Sequence, residues 1–260
     1  MKSFKLGLKP SPSIINTARN RALLARKAPA TCLKAGVNPR PQMSMNDTLN
    51  NCTVAGISNS LRAAAATGGY MIGVPDEDVV KFYSGSTGYN PVTGEHDEGS
   101  TGPNALNYGV RNQLNVENGS FSLLWGGVHY LDRNSVACVI NDLCSCAIGV
   151  MLSESDMNQI NETGGKCVLT KNNSLYGNTA AGSAGGHFAL FWNYKGLRDE
   201  DEVGMLTWGS DSTRCTWEWF EDRGMEAYAV LWRQLAKPDG KYVNGESIDD
   251  LVKEYGIVTG

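Results

Sequence analysis

No acidic residue precedes Asp47, whereas Lys2, Lys5, Lys9, Arg19, Arg21, Arg26, Lys27, Lys34 and Arg40 all do. These are nine of the 23 basic residues, so the rest of the chain carries a net charge of −13 against −4 for the whole. Such a leader fits a docking arm for an acidic surface, with weak nucleic-acid contact, or a solvated segment that wraps the domain. Long apolar runs are also lacking, and no window resembles a membrane span, so no membrane partner is expected. Met1 to Lys5 is followed by no apolar stretch of the length an export signal needs, and a cytoplasmic setting is expected. Cys138, Cys144, Cys146 and Cys167 lack the Cys-x-x-Cys pairing of a structural zinc site, and no glycine-rich stretch runs into Lys-Ser or Lys-Thr, so neither a metal, a bound phosphate nor any other cofactor is implied. Histidine is scarce: only His96, His129 and His187 could serve as a base. The seven cysteines are an odd number, which leaves at least one thiol without an intrachain partner, and mostly reduced thiols are expected.

Thirty glycines, clustered at Gly68-Gly69, Gly126-Gly127 and Gly185-Gly186, argue for many turns. Residues 1–45 read as an extended basic arm interrupted by Pro10, Pro12, Pro29, Pro39 and Pro41, with room for a short helix over 14–27. Helices are expected over 53–66, from Pro75 towards Tyr83, over 103–113 and over 135–144. In the first of these Ile57, Leu61, Ala64 and Ala65 repeat at helical spacing, with Asn50 or Asn51 to cap it and Gly68 to end it. Strands are expected over 147–152, 187–194, 203–208 and 228–232. A capped helix from Ser247 to Tyr255 closes the chain. Helices first and strands later predict an α+β protein: a helical lobe over about 46–145, a β lobe over about 146–235 and a tail over 236–260.

Cys52 stands where the polar loop 46–51 meets a helix start. The unpaired N–H groups and positive dipole end there favour a thiolate and can hold an oxyanion; a small buried residue is the competing reading of a cysteine at that position. His187 follows Gly185-Gly186 at the mouth of an apolar strand, where it is rigidly held, as a general base must be. His96 lies in a polar loop, and His129, near Trp125 and Tyr130, reads as a packed ring.

Taken in order, these residues resemble the papain-like cysteine peptidases. Asn46 stands six before Cys52, where the family carries its oxyanion-hole glutamine. Gly186-His187-Phe188-Ala189-Leu190 followed by Tyr194 matches the histidine strand, and Leu206-Thr207-Trp208-Gly209 the tryptophan-glycine motif. Residues 45–55 resemble more closely the papain-like proteins of bacteriophages and bacteria, as do Gly88-Tyr89-Asn90-Pro91 with Asp97-Glu98-Gly99-Ser100, and Thr216-Trp217 with Glu226-Ala227-Tyr228. The resemblance implies a papain-like fold with the nucleophile helix packed on a mainly antiparallel sheet, spanning 46–260 beyond the arm. It implies Cys52 as nucleophile, His187 as base and Asn46 as oxyanion donor acting on a peptide or amide substrate. Gly99 and Ser100 would line the cleft and Trp208 would shield the histidine.

One residue departs from the pattern. The family's histidine-orienting asparagine aligns with Leu206, which accepts no hydrogen bond. Thr207 is expected on the opposite face of its strand, and Asn193 or a backbone carbonyl is left as the substitute. The phage likeness and the basic arm also fit a non-catalytic papain-like module of a virion, bound to neighbouring subunits of a larger assembly.

Overall fold

The computed structural model describes residues 4–11 and 26–257. The helix expected over 14–27 lies outside them, except for its last two residues. Helix α1 (Cys52–Thr67) runs through the middle of the fold and is buried on nearly every face. Its run of Ala, Ser, Thr and Gly lets neighbours approach from all sides, as a fully buried helix requires. The missing side chain of Gly56 leaves room for the Phe188 ring, and Ser60 Oγ accepts from Trp232 Nε1 at 3.1 Å. Gly68 ends the helix. Asn51, one of the two expected residues, stands at the N-cap, but its side chain makes no capping bond: its Nδ2 donates back to the Ser44 carbonyl, while Asn50 is tied to Asp97.

Helices α2 (Asp76–Thr87) and α3 (Gly102–Arg111) flank α1 on one side. Then come a small hairpin, β1 (Leu114–Val116) with β2 (Gly119–Phe121), strand β3 (Leu123–Val128) and helix α4 (Arg133–Asp142). The remaining elements are β4 (Cys146–Leu152), α5 (Glu154–Thr163), β5 (Val168–Leu169), β6 (Gly185–Tyr194), β7 (Glu202–Thr207), β8 (Ser210–Thr216), α6 (Trp217–Arg223), β9 (Gly224–Trp232) and α7 (Ile248–Glu254). Seven strands form one sheet in the order β3-β9-β4-β6-β7-β8-β5, antiparallel throughout except where β5 joins β8. The protein is thus α+β, with helices packed on a mainly antiparallel sheet. Among the described residues no helix is long and apolar enough to cross a membrane.

Behind the sheet, α5 and α6 meet around a buried ion pair. Asp156 Oδ2 accepts from Arg223 Nε at 2.9 Å and Asp156 Oδ1 from Trp219 Nε1 at 2.9 Å. Arg223 also donates to the Thr179 carbonyl at 2.7 Å, so both buried charges are hydrogen-bonded as well as paired. Asp156 does double service, since it also closes the capping box of α5 with Ser153.

The basic leader is pinned along this body. Cys32 forms a bridge with Tyr194, whose hydroxyl donates to the Pro29 carbonyl at 2.8 Å. Asn134 grips the Arg26 carbonyl and the Ala28 amide, and the Arg26 guanidinium contacts Asp142, Glu246 and Glu254.

Candidate active site

Strand register decides what faces His187. Leu190 pairs with Leu206 across β6 and β7, which sets Thr207 abreast of Ala189. Side chains alternate along a strand, so Thr207, Ala189 and His187 share one face, and Leu206 points to the other. Thr207 Oγ1 lies 2.6 Å from His187 Nε2. The alternation that appeared to turn Thr207 away is what brings it to the ring, because Leu206 is the residue on the far side. Asn193, the other expected substitute, is spent elsewhere: its Oδ1 accepts from Arg214 Nη2 at 3.1 Å.

Immediately after Thr207 the chain turns through two left-handed residues, Trp208 (φ 45°) and Gly209 (φ 70°). A bulky residue rarely adopts that conformation. Here it lays the indole flat on His187, ring centroids 3.9 Å apart and planes 13° from parallel. His187 is 1 % exposed. Burial pushes its pKa down to about 3, so the ring is neutral near neutral pH. Thr207 can accept a proton held on Nε2, and Nδ1 is buried without a hydrogen-bond partner.

Cys52 opens α1 and is likewise 1 % exposed. Burial raises its thiol to about 11, opposed by backbone hydrogen bonds from Phe188, Gly7, Thr53 and Cys52 itself. Two of those groups locate the sulfur. Phe188 is the residue after His187, so the thiol lies against the histidine strand, and Gly7 belongs to the N-terminal arm. Asn46 is buried beside the same loop; its Nδ2 donates to the Leu49 carbonyl at 3.2 Å and its carbonyl accepts from Lys5.

The arm therefore crosses the site. Lys5 N donates to Asn46 O at 3.1 Å, Leu8 N to Gly186 O at 3.2 Å and Lys9 N to Ser100 O at 2.9 Å, while Ser100 N donates to Gly7 O at 2.9 Å. Leu8 and Ser100 pair in the parallel sense. Phe4 packs on Trp208 at 4.9 Å between centroids, and Trp208 Nε1 donates to Lys5 O at 3.4 Å. Gly99 lacks a Cβ where one would sit 2.6 Å from the Gly7 carbonyl carbon. Residues 99–100 and Gly186 thus form two walls, and the arm runs between them as an extended peptide. Cys52, Asn46, Gly99, Ser100 and Trp208 all contact the arm, and His187 lies beneath Trp208, next in the chain to Gly186. Sequence reasoning missed Thr207 and the occupancy of the cleft by residues 4–9; Gly7, flanked by Leu6 and Leu8, was the available signal for the latter.

His96 lies in an exposed loop at φ 64°, and His129 stacks beside Tyr130. All seven cysteines are free, and among the described residues no group of His, Cys, Asp and Glu is arranged to hold a metal ion.

This architecture is that of the papain-like cysteine proteases. Xylellain, a cysteine protease from Xylella fastidiosa, superposes with a TM-score of 0.59 at 10% identity, over 88% of this chain and 96% of its own. Digestive procathepsin L 3 from Tenebrio molitor larval midgut superposes with a TM-score of 0.57 at 12% identity, over 83% of this chain and 75% of its own. At such identities the likeness is one of fold. The sequence matches no family model and no curated protein.

Proposed function

We propose that the chain is a thiol-dependent peptide or amide hydrolase kept latent by its own N-terminal arm. The observation that carries this reading is the arm itself: an extended main chain hydrogen-bonded to both walls of a cleft, with Gly7 against Cys52 and Leu8 against the strand that carries His187. A cleft that holds one peptide in this way is built to hold another. The arm is bound as an inhibitor rather than as a substrate. Gly7 turns its N–H towards the sulfur, and its carbonyl is engaged by Ser100.

With the arm displaced, His187 takes the thiol proton and Cys52 attacks the substrate carbonyl carbon. The oxyanion is received by the Cys52 N–H and by the Asn46 amide, swung from Leu49. His187 then returns the proton to the leaving amine, and water releases the acyl group. Thr207 accepts the Nε2 proton and fixes the tautomer that leaves Nδ1 free to act as base. Trp208 keeps water from the ring.

Carbamidomethylation followed by peptide mapping tests the pair. In a chain whose arm has been opened, Cys52 should label faster than the other six cysteines near neutral pH, and His187→Ala should abolish that advantage. If Cys52 labels no faster than its neighbours, the fold is serving as a non-catalytic module of a larger assembly, such as a virion.

A further inference from the structure

Leu8 fills the pocket beside the nucleophile, and a carboxylate lies under it. Glu226 on β9 is 5 % exposed, and its Oε1 has no hydrogen-bond partner. A Cβ on Gly149 would sit 2.8 Å from Leu8 Cδ2 and 2.8 Å from Glu226 Oε1, so methyl and carboxyl share the space that this glycine leaves empty. A Cβ on Gly102 would meet the same Oε1 at 2.7 Å. Two glycines, on β4 and at the start of α3, thus clear a chamber around one acid. No ion pair among the described residues involves Glu226. The Tyr228 hydroxyl and the Gly102 N–H lie near the carboxyl and favour its ionised form, but neither makes a well-formed hydrogen bond to Oε1.

A buried carboxyl with no ion pair and no well-formed hydrogen bond to one of its oxygens is costly, and a leucine methyl does nothing to relieve it. A lysine or arginine in the same place would supply both charge and donors. We propose that Glu226 makes the subsite now filled by Leu8 selective for a basic side chain in the bound peptide, a reading that rests on the cleft being a peptide-binding site. The groups facing the carboxyl are Tyr228 from its own strand, Gly149 from β4, Gly102 from α3 and Leu8 from the arm. Burial raises the carboxyl to about 7, so the basic preference belongs to mildly alkaline pH and fades as the group takes up its proton.

A four-way comparison in the full chain tests this without requiring turnover. L8K and L8M are each made with Glu226 and with E226Q, and arm docking is read at pH 8.5 as protection of Cys52 from iodoacetamide. Protection by L8K relative to L8M should be roughly tenfold or more greater with Glu226 than with E226Q. An equal ratio in the two backgrounds overturns the assignment. A peptide library presented to the G7A chain gives the second readout. Lysine or arginine favoured at one position, and that preference lost in E226Q, supports the subsite; a leucine preference unchanged by E226Q overturns it. The comparison of arm variants reports binding alone, so its failure condemns the subsite, whereas a G7A chain that cleaves no peptide condemns the hydrolase reading.

Discussion

A single methyl group should open the site. A Cβ on Gly7 would sit 2.8 Å from Asn50 Cα and closer still to the Asn50 carbonyl, and both are main chain. That wall cannot give way, because Asn50 is anchored to Asp97 through its amide at 2.9 Å and its side chain at 2.6 Å. Tyr83 braces the same carboxylate at 2.9 Å. The arm must move instead. Forced overpacking costs about 1–3 kcal/mol, and the four main-chain hydrogen bonds that hold residues 5–9 are each worth about 1 kcal/mol net. Gly7→Ala should therefore raise the open fraction roughly tenfold to a hundredfold. The assay is the pseudo-first-order rate of Cys52 alkylation in the full chain, with the thermal midpoint as the check on folding. Lys9→Ala, which removes only an exposed pair with Glu98, is the control and should change the rate by less than about twofold. A folded G7A chain in which Cys52 labels at the parental rate would refute the argument that the arm, rather than the body, guards the thiol.

Other consequences are equally open to measurement. Thr207→Val leaves a buried imidazole without its partner and should slow hydrolysis by the opened enzyme by roughly tenfold or more, with Thr207→Ser restoring it; equal rates for valine and serine would remove Thr207 from the mechanism. His187 is held near 3 in the fold against 6.5 when solvated, so the unfolded chain takes up a proton that the folded one cannot. This contribution to stability is complete above 6.5 and falls by about 1.4 kcal/mol for each pH unit below it until about 3; thermal melts should show the loss, and His187→Gln should remove this pH dependence. Glu226 has the opposite sign, since its raised pKa means that stability is lost as pH climbs from 4.5 to about 7. Glu226→Gln should therefore stabilise the chain by up to about 3 kcal/mol at pH 8 and hardly at all at pH 4, as followed by thermal melts. Asp156→Ala strands the buried Arg223 and should cost about 3–5 kcal/mol in denaturant unfolding.

Those parts of the fold with strong apolar periodicity could be read directly. The expected helix over 53–66 is α1, and the strands expected over 147–152, 187–194, 203–208 and 228–232 are β4, β6, β7 and β9 within a few residues. What escaped has a physical reason. Strand β8, Ser-Asp-Ser-Thr-Arg-Cys-Thr, and helix α5, with Ser155, Asp156 and Gln159 on its buried face, show almost no apolar pattern, because both are held by polar contacts. Strand β3 joins the sheet from within the stretch read as helical. Motif order pointed to Cys52, His187, Asn46, Gly99, Ser100 and Trp208 as one candidate site. Thr207 was lost because a one-residue uncertainty in register reverses the face of every side chain. Glu226 was noticed only as part of a motif, since nothing in sequence shows that Gly149 and Gly102 leave it a chamber.

The least legible property is the protonation state of the pair. With the arm in place, a thiol near 11 and an imidazole near 3 make proton transfer between them uphill by roughly 10 kcal/mol. With ordinary values near 9.0 and 6.5 the gap is only about 3 kcal/mol. Burial is the first cause of both shifts, and part of that burial is supplied by the arm's own residues, Phe4 on Trp208 and Gly7 on the sulfur. Two of the groups that pull the thiol downward, the Phe188 and Thr53 backbones, belong to the body and remain when the arm leaves. Undocking therefore returns water to the sulfur at the loss of the Gly7 N–H, and keeps the Phe188 and Thr53 N–H groups that favour a thiolate. Latency, on this argument, resides in a peptide that excludes water from Cys52 and His187, and Nδ1, which has no hydrogen-bond partner under the arm, has to close on the sulfur when the peptide leaves.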